Sequence, residues 1–192
     1  MSPRSAAANE RLRAESRARI LEHALQLFGE HGYDGTTVKM IAESAGISQG
    51  LIYAHFASKD ALLVAIFEQS MRDVQESFAL AEAAGAPAER IERLLRGSFE
   101  VLRRNERFWR LSYGVRMQPA VLALLGDRVP DWTDVIRGTL RRYLADAGVP
   151  DPAIEAEVLF ALIDGVSQHY VLEPERYPLE AVVERVVGRY RR

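Results

Sequence analysis

The chain has 192 residues, 48% of them apolar, and a formal net charge of −2 from 25 basic and 27 acidic side chains. That length suits one large domain or a small domain joined to a larger one, and the longest uninterrupted apolar run, Ala61–Phe67, is too short to cross a bilayer. The absence of cysteine excludes a disulfide framework, Cys-ligated zinc, an iron–sulfur cluster and a thiol nucleophile, and it is compatible with a reducing, cytoplasmic compartment.

The first ten residues hold no hydrophobic stretch suited to a secretory signal. They open instead a locally basic segment, in which Arg4, Arg11, Arg13, Arg17 and Arg19 stand against Glu10 and Glu15. Residues 1–12 are expected to form a flexible arm. From Arg17 the apolar positions Ile20, Ala24, Leu27 and Leu21, Leu25, Phe28 both run i, i+4, i+7, the period of an amphipathic helix that Gly32 would stop. Thr37 is expected to cap a short helix, Val38–Ala45, that ends at Gly46; Ser48 caps another, and Ser58 caps a long one. Beyond Gly85-Ala86-Pro87, helical spacing recurs over Glu89–Arg104, Phe108–Met117, Asp131–Ala147, Ile154–Leu172 and Leu179–Tyr190, separated by Pro or Gly. The expectation is an all-α protein of about nine helices.

The informative stretch is Thr37–Lys59, where two helices of about eight residues joined through Gly46 match a helix-turn-helix. Ala42 is small where the helices cross, Gly46 can adopt the positive φ of a sharp exit, and Ile41, Ile47 and Ile52 fill the wedge between them. Ser48 as cap leaves Gln49, Gly50 and Leu51 in the first turn, the part of a recognition helix that meets base edges. The same spacing also occurs in ordinary helical hairpins, and Gln49 equally reads as a plain surface residue.

The neighbouring residues add to the motif. Ile20–Phe28, Gly32-Tyr33, Thr36-Thr37, Ile41-Ala42, Ala45-Gly46-Ile47-Ser48, Gly50, Tyr53-Ala54-His55-Phe56 and Lys59-Asp60-Ala61-Leu62 together resemble the N-terminal domain of TetR/AcrR-type transcriptional regulators. Ala161-Leu162-Ile163-Asp164-Gly165-Val166, followed by a Pro-bearing loop and an amphipathic final helix, is similar to the family's dimerisation segment, and the general arrangement is similar to the BetI-like subgroup. The resemblance implies a three-helix DNA-binding domain over 13–72 and a larger helical effector-binding and dimerisation domain over 73–192. It implies that Thr37 caps its helix and touches a phosphate, and that Lys39 reaches a base or a phosphate. Gln49, Gly50 and Leu51 would lie at base edges, Tyr53, His55 and Lys59 on phosphates, and the cap Ser48 belongs to the same DNA-binding set. Gln suits a bidentate contact with adenine, and Leu a thymine methyl.

An enzyme finds little support. The four histidines form no H-E-x-x-H pair, no glycine-rich phosphate fingerprint follows a strand, and no Gly-x-Ser-x-Gly elbow is present. No metal or cofactor is expected, and a helical adaptor without DNA is opposed by the motif alone. Phe99, Trp109, Tyr113, Met117 and Phe160, with Asp164 and Gln168 as polar handles, are candidates for an effector pocket. The resemblance implies a small-molecule effector and a homodimer on a palindromic operator. Repression relieved by ligand is expected, with activation or a co-repressor requirement as alternatives. Apolar stripes on the last two helices nominate Leu159, Leu162 and Val166 together with Val182, Val183, Val186 and Val187 as the dimer interface.

Overall fold

The computed structural model describes residues 6–83, 85–126 and 128–191. Among these residues every regular element is an α-helix, and there are ten: α1 (Ala6–Gly35), α2 (Val38–Ala45), α3 (Gln49–His55), α4 (Lys59–Glu82), α5 (Pro87–Arg104), α6 (Glu106–Arg116), α7 (Pro119–Leu125), α8 (Arg128–Asp146), α9 (Pro152–Leu172) and α10 (Leu179–Gly188). The helix beyond the expected nine is α7. Pro119, read as a break, is its first residue, where a missing N–H costs nothing and the fixed φ suits a helix. Residues 6–12, expected in a flexible arm, belong to α1, since Ala, Leu, Glu and Arg are among the strongest helix formers. Met1–Ser5 lie outside the described residues.

The chain gathers into two compact units. One takes in the described residues through Glu68 together with Leu111–Leu124; the other takes in Gln69–Arg110 and the described residues from Leu125 onward. In the first, α1 packs on α2 and α2 on α3. Ile20, Ala24, Phe28, Ile41 and Ile52 are almost wholly buried, as the two helical periods require. Gly32 leaves α1 with φ 75° and ψ 162°, so the helical ladder is broken there. Two side chains close the exposed backbone groups. The buried Thr36 hydroxyl lies 3.0 Å from Leu27 O and 2.8 Å from Gly32 O and donates between them. The Gln118 carboxamide donates to Phe28 O at 2.9 Å and accepts from Tyr33 N at 2.8 Å.

In the second unit α8 packs along α9, α5 packs against both, and α10 returns onto α5 and α9. The residues expected at the dimer interface are mostly covered within the chain itself. Leu159, Val166, Val183, Val186 and Val187 are all less than one-tenth exposed within the single chain, and Leu162 and Val182 are half-buried. The reason is that α9 is apolar on almost every side, and its Ala156–Leu159–Val166–Tyr170 stripe is buried where α9 packs on α8, α5 and α10. The outward stripe of α9 is a different one: Ile154, Val158, Ala161 and Leu172, with Ile154 68% and Leu172 70% exposed.

Candidate nucleic-acid interface

The helical hairpin α2–α3 is held by local chemistry. Thr37 has extended backbone, and its hydroxyl accepts from Met40 N; Ser48 does the same for Leu51 N. Each closes one of the donors a helix start leaves open, worth about 1 kcal/mol. Between them Gly46 sits at φ 64° and ψ 37°, the left-handed exit expected of it, and its N–H reaches back to α2. Ile52 is the anchor of α3, 1% exposed. Because Ile52 faces inward, the remaining turn faces out: Gln49, Gly50, Leu51 and Tyr53 are all exposed. Leu51 is 37% and Tyr53 54% exposed. His55 is half-buried at the last turn.

The two lysines behave differently from one another. Lys39 is exposed, with its ammonium 3.9 Å from Glu43 one turn on. Lys59, expected on a phosphate, is turned inward: its ammonium donates to Tyr33 O at 2.8 Å and Thr36 O at 3.0 Å and lies 4.3 Å from the centroid of the Tyr33 ring. Carbonyls exposed by the chain reversal after Gly32 are strong acceptors, and a charge-assisted bond to each outcompetes an open-water position. The Tyr33 hydroxyl donates to Asp60 beside it. Burial, and then that carboxylate, push the phenol above its ordinary pKa, so it stays protonated as a donor. Sequence reasoning missed this Tyr33–Lys59–Asp60 clasp and the Gln118 bridge.

The residues nominated for an effector are divided between the two units. Tyr113 and Met117 belong to the first unit, where Arg116 covers the Tyr113 ring and Met117 is 67% exposed. The other five belong to the second. Phe99 is buried, Arg137 lies over the Phe160 ring, and Gln168 donates to Asp164 within α9 at 2.6 Å. Trp109 leads to a feature the sequence reading passed over. Its indole N–H donates at 2.9 Å to Asp73, which also accepts from Asn105 at 2.8 Å and Gln69 at 3.2 Å and is only 4% exposed. A signal was present. The buried stripe of α4 runs Ile66, Ser70, Asp73, Ser77, Ala81, so its period is regular while its middle is polar.

Among the described residues no group of His, Cys, Asp and Glu could hold a metal, and no single helix is long and apolar enough to cross a membrane. The description of bacterial regulatory proteins of the tetR family matches residues 20–66, and that of the C-terminal part of the BetI-type transcriptional repressor matches residues 87–190. The first match holds the helical hairpin with its caps and its bare turn. The second spans more than half of the chain. The chain therefore belongs to the tetR family of bacterial transcriptional regulators, with a BetI-type C-terminal domain.

Relatives agree. The transcriptional repressor AcnR of Corynebacterium efficiens is 28% identical over 161 residues, 81% of this chain and 80% of AcnR. The fatty acid degradation regulator FadR from Bacillus halodurans shares the fold, with a TM-score of 0.75 at 23% identity over 91% of this chain and 94% of FadR. SmeT, solved with triclosan, has a TM-score of 0.73 at 26% identity over 92% of this chain and 90% of its own.

Proposed function

We propose that this protein is a homodimeric, effector-responsive repressor that reads a palindromic operator through α3. The observation that supports it is the bare first turn of α3. Ile52 and the Ser48 cap fix the helix from behind, so Gln49, Gly50 and Leu51 are presented on a rigid support to base edges in a major groove. Thr37, Ser48, Tyr53 and His55 flank that turn and suit the phosphates on either side; Lys39 suits a phosphate or a base once it parts from Glu43. A second copy would pair along the outward stripe of α9, Ile154–Val158–Ala161–Leu172, with Val135 of α8, itself 69% exposed. The twofold then places two recognition helices about 34–36 Å apart, one turn of DNA.

The effector is a small molecule taken up by the second unit near Trp109, Phe160, Asp164 and Gln168. Binding there lowers DNA affinity, and linkage requires DNA to weaken the effector by the same factor. The cytoplasm is where such a regulator meets both ligands. SmeT in complex with triclosan illustrates a small molecule held by a protein of the same fold.

The experiment is selection of sites from a random duplex pool. A palindrome with half-sites one turn apart and a Kd below about 10⁻⁸ M at physiological salt is expected. Equal affinity for the selected duplex and a scrambled one overturns the proposal. In the same preparation Val158→Arg should turn dimers into monomers on sedimentation and remove operator binding; an unchanged dimer places the interface elsewhere.

A further inference from the structure

We propose that α1 carries a DNA grip of its own: Arg13 and Arg17, on the helix face beside the end of α3, hold the phosphate backbone without reading sequence. The inference rests on the DNA-binding reading above and adds the part of the affinity that the helical hairpin cannot supply. Between Val38 and His55 the charged side chains other than the histidine are Lys39 and Glu43, 3.9 Å apart and opposite in sign. Lys59, the next cation along the chain, directs its ammonium at Tyr33 O and Thr36 O. A duplex carries one negative charge per about 1.7 Å of its axis, and counterion release by protein cations supplies most of the sequence-independent affinity. A reading helix with no net charge beside it gains little of that.

Apart from Arg116, which covers the Tyr113 ring, the other described cations of the first unit are in α1, and they fall on two faces. Arg13 and Arg17 are four residues apart on a helix of 3.6 residues per turn and so share one side. Arg11 and Arg19 lie on the other with Glu15, to which Arg11 is paired at 3.6 Å. Arg17 orients the first face: its guanidinium lies 5.1 Å from the centroid of the Phe56 ring, and Phe56 is the C-cap of α3. The side chain thus sits at one end of the helix whose other end meets the bases, with Arg13 one turn further out and exposed. Among the described residues neither arginine has an ion pair or hydrogen bond, apart from Arg17's ring contact. The helical state decides what they touch. A helix is about 10–12 Å across with its side chains and a minor groove about 6 Å wide, so α1 lies along the backbone and does not thread the groove.

The test is the salt dependence of binding to a random-sequence duplex of about 30 base pairs over about 50–200 mM salt, read by fluorescence anisotropy. Arg13→Gln with Arg17→Gln should flatten the slope of log affinity against log salt by about 0.9 for each phosphate lost, about 1.8 per protomer. It should lower affinity by the same factor on a selected operator. Arg11→Gln with Arg19→Gln removes the same charge and should leave the slope in place. Arg13→Lys with Arg17→Lys should restore it, which separates a lost grip from a frayed helix. Equal flattening by both glutamine pairs shows a diffuse net-charge effect and overturns the proposal, as does flattening by neither. If the unaltered protein binds no duplex at all, the DNA-binding reading itself fails, a result visible before any variant is compared.

Discussion

The two units use polar side chains in opposite ways. In the first, Thr36, Thr37, Ser48, Ser58, Lys59 and Gln118 are directed at backbone groups of helix ends and turns, and the outer face of α3 is exposed. In the second, hydroxyls such as Ser77 and Ser98 still reach backbone, but the long charged side chains are directed at one another. Arg96 and Arg191 each reach both Glu92 and Glu184, closing a four-membered ring between α5 and the end of α10, while Arg103 meets Glu180 and Arg104 meets Glu76. Backbone closure fixes a shape and frees a surface for recognition. Charge pairing occupies the surface, and each exposed pair adds only about 0.2–1 kcal/mol.

The largest break in this contrast is expected at the anchor of α3. Ile52→Ala removes a fully buried side chain and should cost about 2–5 kcal/mol in thermal or urea unfolding. Gln49→Ala, three residues away on the bare face, should leave the melting curve unmoved and flatten base preference at one symmetric pair of operator positions by about 1–3 kcal/mol. The next effect belongs to the second unit. Asp73→Ala strands the Trp109 and Asn105 donors and should destabilise by about 1–3 kcal/mol, with a shift of Trp109 emission; an unshifted spectrum would mean that the indole has another acceptor. Lys59→Ala comes third. It leaves two carbonyls of the turn without their ammonium, so stability should fall by about 1 kcal/mol while the salt slope of DNA binding holds. A flatter slope with unchanged stability would return Lys59 to the phosphates.

The smallest effect is titratable. Hydrogen bonds from Arg191 and then Arg96 hold the Glu92 carboxyl down to about 2, against about 4.5 when unfolded. A depressed folded pKa means stability that is complete above about 4.5 and is lost as pH falls toward about 2. Glu92→Gln should therefore flatten the acid side of the stability curve in that window, by less than about 1 kcal/mol because the ring is at the surface. An identical acid limb in the variant would show that the ring contributes nothing measurable.

What could be read from the sequence follows the range of the interactions. The α2–α3 hairpin could be read residue by residue, because caps, a left-handed glycine and a buried isoleucine are decided within four or five positions. The inward stripe of α9 could not. Leu159 and Val158 are neighbours of nearly equal hydrophobicity, and only the packing of α8, α5 and α10 against α9 determines which of them is covered. Lys59 was unreadable for another reason. A long flexible cation can swing either way, and the acceptors that draw it inward exist only once Gly32 has broken α1. Asp73 was readable in principle from its position on a buried stripe, but a search for apolar residues passes over it.

The Gln118 carboxamide occupies the place of a peptide unit that the backbone of α1 does not provide, giving an N–H to Phe28 O and a carbonyl to Tyr33 N. The first unit is therefore not a contiguous piece of chain. A fragment ending near residue 72 keeps the whole helix-turn-helix and every side chain proposed to read bases, yet lacks this graft. A carboxylate at 118 would accept from Tyr33 N but set its second oxygen against Phe28 O, and a shorter amide has one methylene less with which to reach both. Dissection of the protein into halves should thus yield a DNA-reading fragment that melts below the same residues in the full chain. Such a fragment would recover only if the segment carrying Leu111–Leu124 were supplied to it.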